Sequence, residues 1–205
     1  PTQTPGENAQ RYFAKYNKQK RTFEALTELI QETADDIQYL ESISNALDIA
    51  LSEADLAQIK EELMQSGYIR RKHTKKKVKL TSKPMHYISS DGYDMYVGKN
   101  NLQNEELTFS FANGNDWWFH AKGAPGSHVI VKSGGDELPD RTFEEAGRLA
   151  AYYSKNRGAD KVEIDYIQKK HVKKPNGAKP GFVVYYTNYS LVIDSDISNI
   201  KNVQD

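Results

Sequence analysis

The sequence predicts an α+β protein, a long coiled-coil helix followed by a mostly antiparallel β-sheet domain with one principal helix. Three observations predict it. Residues 8–50 contain no proline or glycine and repeat apolar residues every seven positions. After Pro84 the apolar pattern shifts to period two, the signature of strands. Between those strands only Thr142 to Asn156 carries a clear helical face. Many strands with one main helix make an α+β layer arrangement.

The helix comes first. Tyr16, Phe23, Ile30, Ile37 and Leu51 share one heptad position, and Tyr12, Leu26, Leu40 and Leu47 share the other, with Gln19, Thr33 and Ser44 interrupting the seam. A helix of some forty residues is roughly 60 Å long. It cannot bury this seam alone, so the seam is expected to drive self-association of the chain. Ser52-Glu53-Ala54-Asp55 then reads as a helix N-cap, Leu56, Ile59 and Leu63 form an apolar face, and Gly67 is a C-cap. Residues 1–68 are therefore read as an incomplete arm with a short helix, 69–83 as a basic linker, and 84–205 as a globular domain.

In that domain Tyr87-Ile88-Ser89 and Tyr93 to Val97 flank Asp91-Gly92, a hairpin signal. Leu107 to Phe111, Trp117-Trp118-Phe119, Val129-Ile130-Val131, Val162 to Tyr166, Phe182 to Tyr186 and Ser190 to Ile193 read as further strands. On the helix, Phe143, Ala146, Leu149, Ala150 and Tyr153 share a face, with Gly158 beyond its end.

Charge separates along the chain although the total over 205 residues is zero. Residues 22–66 hold eleven acids and one base, Lys60, whereas 67–205 hold 22 bases against 16 acids. The basic C-terminal part favours an anionic partner such as nucleic acid. There is no cysteine, which excludes disulfides, zinc ribbons and thiol nucleophiles and fits a cytoplasmic protein. No signal peptide or membrane-spanning run is visible, and the opening Pro1-Thr2 without an initiator Met is expected of a piece of a longer protein.

Four segments are candidates for binding. The run Arg70, Arg71, Lys72, Lys75, Lys76, Lys77, Lys79 and Lys83 puts eight cations in fourteen residues and suits phosphate contact, against the plainer reading of a solvated linker. Gly98-Lys99-Asn100-Asn101 can form a backbone nest for an anion, or simply a turn. In Asp116 to His128, Trp118, His120, Lys122, Ser127 and His128 surround a Gly/Pro loop. A metal site on Asp116, His120 and His128 fits no standard spacing, and a Ser/His hydrolytic site lacks a nucleophile elbow. An RNA-contacting loop, with the outward-facing tryptophan stacking a base, competes with a structural reading. In the latter, Trp117 and Phe119 are core and the histidines make buried hydrogen bonds. Finally, Lys169, Lys170, Lys173 and Lys174 stand in a Pro/Gly-rich loop that suits phosphates.

Taken together, Ser90-Asp91-Gly92, Val97 to Asn101, Asn104, Asp116 to Lys122, Pro125 to His128, Ala150 to Ser154 and Val172 to Pro175 resemble the NFACT-R domain of the NFACT family. Asn8 to Phe13 and Tyr16-Asn17-Lys18 resemble its middle coiled-coil region. The resemblance implies a non-enzymatic, cofactor-free module of ribosome quality control in the cytoplasm. Its partners would be the large ribosomal subunit through rRNA, and tRNA or peptidyl-tRNA. Such proteins bind obstructed subunits and support tailing of the stalled chain, with alanine in bacteria. The older name of bacterial members, fibronectin-binding proteins, sets a surface adhesin as the alternative, with fibronectin as partner at the cell surface. A metal-dependent nuclease on Asp116, His120 and His128 is the third class.

Overall fold

The computed structural model describes residues 4–70 and 82–203. Helix α1 (Pro5–Ile49) is continuous, as the absence of helix breakers requires. The chain divides into two compact units, Pro1–Leu40 and Glu41–Asp205. In the first, the heptad residues Tyr12, Tyr16, Phe23, Leu26, Ile30 and Ile37 all lie exposed. No helix among the described residues is long and apolar enough to cross a membrane.

The second unit holds the end of α1, helix α2 (Glu53–Gln65) and the sheet. Helix α2 begins in a capping box. The Ser52 side chain accepts from the Asp55 N–H, and the Asp55 carboxylate accepts from the Ser52 N–H at 3.1 Å. It ends in a Schellman turn: Gly67 takes φ +82°, and the Tyr68 N–H donates to the Leu63 carbonyl at 2.9 Å. Both ends fall where the sequence places them.

The sheet is built from β1 (Met85–Ile88), β2 (Asp94–Val97), β3 (Trp117–Ala121), β4 (Val129–Val131), β5 (Val162–Gln168), β6 (Tyr189–Ile193) and β7 (Lys201–Asn202). Their order is β6-β5-β3-β4-β2-β1-β7, and every neighbouring pair is antiparallel. The Asp91-Gly92 hairpin forms as expected, with Tyr87 opposite Met95 and Gly92 at φ +88°. Helices α3 (Asn101–Glu106) and α4 (Asp140–Tyr152) complete the domain.

The sheet is covered on both sides. Met85, Met95, Val97, Phe119, Val129, Val131 and Ile164 pack with Ala146, Leu149 and Ala150 of α4. On the opposite face Trp118, Ile130 and Ile167 are roofed by Leu107, Ala112 and Val172, with Val183 and Tyr185 packed against them. Fully burying an apolar side chain of this size contributes about 1.5–3 kcal/mol. Gly147 lets α4 approach β6, because a Cβ there would stand 2.9 Å from Leu191.

This second roof corrects three expectations. Leu107 to Phe111 is not a strand but a π-helical turn continuing α3, closed by the Ala112 N–H donating to the Leu107 carbonyl at 2.9 Å. Its alternating pattern reflects a helical turn with Leu107 inward, and the preceding polar helix carries the chain through it. Phe182 to Tyr186 forms no strand either. Only Val184 pairs, with Lys173, in an isolated bridge. Gly181 at φ +80° and Thr187 at φ +59° bend the segment at both ends, and Val183 and Tyr185 serve the roof. Helix α4 stops at Tyr152 rather than Asn156, because the Tyr153 carbonyl accepts from the Ser127 N–H and Gly126 bridges Ser154.

Candidate nucleic-acid interface

The Trp-Trp-Phe-His segment is interior. Strand alternation sends Trp118 to the roofed face and Trp117 to the α4 face, so the expectation of one outward tryptophan fails: both faces are covered. Trp118 has 0% exposure. Its ring lies 5.6 Å from His120, 5.1 Å from His128 and 5.0 Å from Tyr185. Trp117 packs edge-on against Phe143 at 4.9 Å. Ser127 and His128 are buried as well. The His128 N–H donates to Asn104 Oδ1 at 2.9 Å, and its Nδ1 shares a hydrogen bond of 2.8 Å with Thr108 Oγ1. Thr108 reaches it because the π turn aims its hydroxyl inward. Trp118, Ser127 and His128, expected as RNA contacts, therefore form part of the core, and the reading with hydrogen-bonded buried histidines describes His128.

Their protonation fits that placement. Desolvation pushes His120 down to about 4, against weaker upward pulls from the Gly126 backbone, Asp165 and the Ala121 backbone. Desolvation and the neighbouring His120 hold His128 well below the ordinary imidazole range. Both rings are neutral near pH 7 and offer no cation to a phosphate. His120 keeps part of its surface in solvent. Among the described residues no three His, Asp or Glu side chains are placed to hold a metal ion. Asp116 instead pairs with Lys132 and accepts from the Asn113 N–H at 2.7 Å.

Lys99, Asn100 and Asn101 are also inward, which corrects the anion nest. Asn100 caps α3, its side chain accepting from the Gln103 N–H at 3.0 Å, and donates to Gln58 of α2 at 2.8 Å. Asn101 donates to Glu62 at 2.8 Å and to Ser42 at 2.7 Å. Lys99 pairs with Asp55 at 3.2 Å. Burial opposes the Asp55 charge, yet hydrogen bonds from Ser82, the Leu51 backbone and Ser52, together with Lys99, hold its pKa below the usual range. Gly98 is required here, since a Cβ would fall 2.2 Å from Asn104 Oδ1. The motif locks α2 to the sheet domain through amide and ionic hydrogen bonds.

The exposed cations lie elsewhere. Lys169 to His171 form a 3-10 turn after β5, anchored by the Lys169 N–H on the Asp116 carbonyl (2.8 Å) and the Lys170 N–H on the Gly114 carbonyl (2.9 Å). Lys170 and Lys173 are exposed. Lys169 sits 5.8 Å over the Phe109 ring, and Lys174 is held by Glu105 at 2.7 Å. Lys122 is exposed but paired with Glu163 at 2.5 Å. Arg70 is exposed, whereas Arg71, Lys75, Lys76 and Lys77 lie outside the described residues.

Sequence reasoning missed the neighbours of this turn. His86 of β1 stacks on Tyr96 of β2 at 4.5 Å and 3°, and Tyr96 meets Phe111 edge-on at 4.7 Å. Lys132 Nζ lies 4.8 Å over the Phe111 ring. The period-two pattern does place Tyr96 opposite Met95 and Val97. Nothing local says that a π turn will bring Phe111 beside it.

An antiparallel sheet roofed on both faces, carrying a lysine-rich turn and following a helical arm, defines an α+β module with a basic loop. The chain belongs to the NFACT family. Residues 83–187 match that family's RNA binding domain, and residues 1–82 match its N-terminal and middle domains. The Rqc2 homolog RqcH of Streptococcus pneumoniae serotype 2 (strain D39 / NCTC 7466) is 45% identical over 202 residues, covering 98% of this chain and 36% of that protein. The Bacillus subtilis (strain 168) Rqc2 homolog RqcH is 40% identical over 205 residues, covering 98% and 35%. The chain thus spans little more than a third of the length of these curated relatives. The solved C-terminal part of the fibronectin/fibrinogen-binding protein of Streptococcus suis superimposes with TM-score 0.86 at 43% identity, covering 96% of this chain and 78% of that one.

Proposed function

We propose that this chain is the RNA-binding, ribosome-associated part of a ribosome quality control factor. In that reading it helps hold the large subunit obstructed by peptidyl-tRNA, through rRNA and tRNA, and supports C-terminal alanine tailing of the stalled chain in the cytoplasm. Its own contribution is binding rather than catalysis. One observation carries the reading: the segment matching the family's RNA binding domain contains the turn on which Lys170 and Lys173 stand exposed. Lysines on a backbone-anchored turn suit phosphates, which supply affinity without sequence choice. Arg70 is a further exposed cation, and Lys169 adds charge on the turn. Kinship with the two RqcH proteins supports the ribosomal setting.

The test is a titration of the chain, and of a variant with Lys169, Lys170, Lys173 and Lys174 changed to Ala, against labelled tRNA and large-subunit rRNA at several salt concentrations. Binding is expected to fall steeply with salt. In the variant the log–log slope is expected to shrink by about 0.7–0.9 for each phosphate contact removed. Absence of binding at low salt overturns the reading. Binding to purified fibronectin at physiological salt would then decide for the adhesin alternative.

A further inference from the structure

We infer that the aromatic strip formed by His86, Tyr96 and Phe111, flanked by Lys132, is a stacking platform for the unpaired bases of single-stranded RNA. The inference deepens the proposed RNA-binding role and rests on it.

Four observations carry it. First, the strip is half-open: Phe111 is 41% exposed, and His86 and Tyr96 keep part of their surface in solvent. Tyr96 borders the second core, as Phe109 and Tyr185 do, whereas Trp118 is completely buried in it. Second, the rings are held rather than mobile. His86 is stacked on Tyr96 and bound to Asp94 at 2.7 Å, and Phe111 stands on a π turn braced against the domain. An ordered ring loses little freedom when a base stacks on it, and base–aromatic stacking tolerates any base. Third, the strip continues into the lysine turn through Asp116. Its carboxylate pairs with Lys132, beside Phe111, and its carbonyl accepts from the Lys169 N–H. Bases on the rings and phosphates on the lysines would thus belong to one strand crossing one surface.

The fourth observation is the charge that distinguishes this strip from the other exposed aromatics. Tyr189 is 60% exposed and stacks on Tyr166 at 5.6 Å, on the α4 face. There Tyr166 feels Asp140, an acid that repels a phosphate chain. Around the His86–Tyr96–Phe111 strip, Lys132 lies over Phe111 and pairs with buried Asp116, while Asp94, half exposed and bonded to His86, also acts on Tyr96. Unpaired bases, rather than a duplex, are the fitting ligand, because a duplex hides its ring faces inside the stack.

The experiment compares the full chain with Phe111→Leu, Phe111→Trp and His86→Ala. Each is titrated at one salt concentration with a labelled single-stranded oligouridine and with a blunt RNA duplex of the same number of phosphates. Phe111→Leu keeps apolar volume without a π face, so folding is preserved while stacking is lost, and thermal unfolding checks this. The expected result is a loss of about fivefold or more in oligouridine affinity for Phe111→Leu and His86→Ala, the low end for one stacked base. Duplex affinity stays level, and Phe111→Trp restores or strengthens single-strand binding. Wild-type affinity in both folded variants, while the four-lysine variant loses binding, overturns the platform and leaves the RNA-binding role standing. An equal loss on duplex and single strand also overturns it. A wild-type chain that binds neither RNA overturns both.

Discussion

At the scale of single residues, the histidines illustrate how burial sets chemistry. His120 and His128 look like site residues in the sequence because they bracket a Gly/Pro loop. In the fold their rings sit 5.4 Å apart, both beside the buried Trp118. Their pKa values lie below those of the unfolded chain, where an imidazole titrates near ~6.5. Between that value and about 4, where His120 titrates when folded, the unfolded state binds more protons. Folding stability therefore falls as pH drops from neutrality through this window, by roughly 1.4 kcal/mol per unit of pKa difference for each histidine. Urea unfolding from pH 7 to pH 4.5 checks it, with His128→Gln expected to flatten the decline. A stability that stays level or rises on acidification would show that the two rings titrate normally.

At the scale of elements, two helices behave oppositely. Helix α2 is specified locally, by Ser52 and Asp55 at one end and Gly67 at the other, and the structure keeps both ends. Helix α1 is specified by its heptads, yet exposes them: Phe23 is 71% and Ile30 68% accessible. Such a seam finds its stability in a second helix. The chain is accordingly expected to self-associate, and sedimentation velocity should show the mean species growing with concentration. Changing Phe23 and Ile30 to Glu should return it to monomer. A parent chain that stays monomeric at high concentration would remove the seam as an association surface. The π turn at 107–111 was misread as a strand for a related reason. A period of two is ambiguous over five residues, and the cap at Asn100, which starts the helix, looks in isolation like an anion loop.

At the scale of the whole second unit, the family motif around Lys99 to Asn104 is a lock rather than a ligand site. Gln58 and Glu62 of α2, Ser42 of α1 and the three polar residues Asn100, Asn101 and Gln103 hydrogen-bond one another, all but Ser42 buried. Buried charges without partners are costly, so removing one member is expected to weaken the whole dock. Lys99→Ala removes the cation beside Asp55, whose carboxylate keeps its bonds from Ser82, Ser52 and the Leu51 backbone, and should lower unfolding free energy by about 1.5–3 kcal/mol. A change within ~0.5 kcal/mol in chemical denaturation would mean that the dock does not depend on this pair. The surface consequence is equally large. With Lys99, Lys122, Lys132 and Lys174 paired to carboxylates, Lys170 and Lys173 are the exposed lysines of the segment after β5 to which no carboxylate is bonded among the described residues.

By itself, the sequence determined the fold class, the long helix, the capped helix, the hairpin at Asp91-Gly92 and the strands β1 to β6. Those features rest on short-range rules: heptad spacing, capping side chains, glycine at positive φ, and alternation on a sheet. Family membership was legible too, in the order of motifs along nearly the whole chain. Which side of a residue meets water was decided only by the tertiary structure. Trp118, Ser127, His128, Asn100 and Asn101 carry the residue types of an RNA site but lie beneath a roof. Over Trp118 and His128 that roof is the π turn and residues 172–185, and over Asn100 and Asn101 it is α2 and the end of α1. Conversely, Phe111 joined the cross-strand pair of His86 and Tyr96 only when a turn without strand geometry folded over the sheet. Burial is a property of what covers a surface, and coverage comes from contacts of long sequence separation that no local pattern encodes.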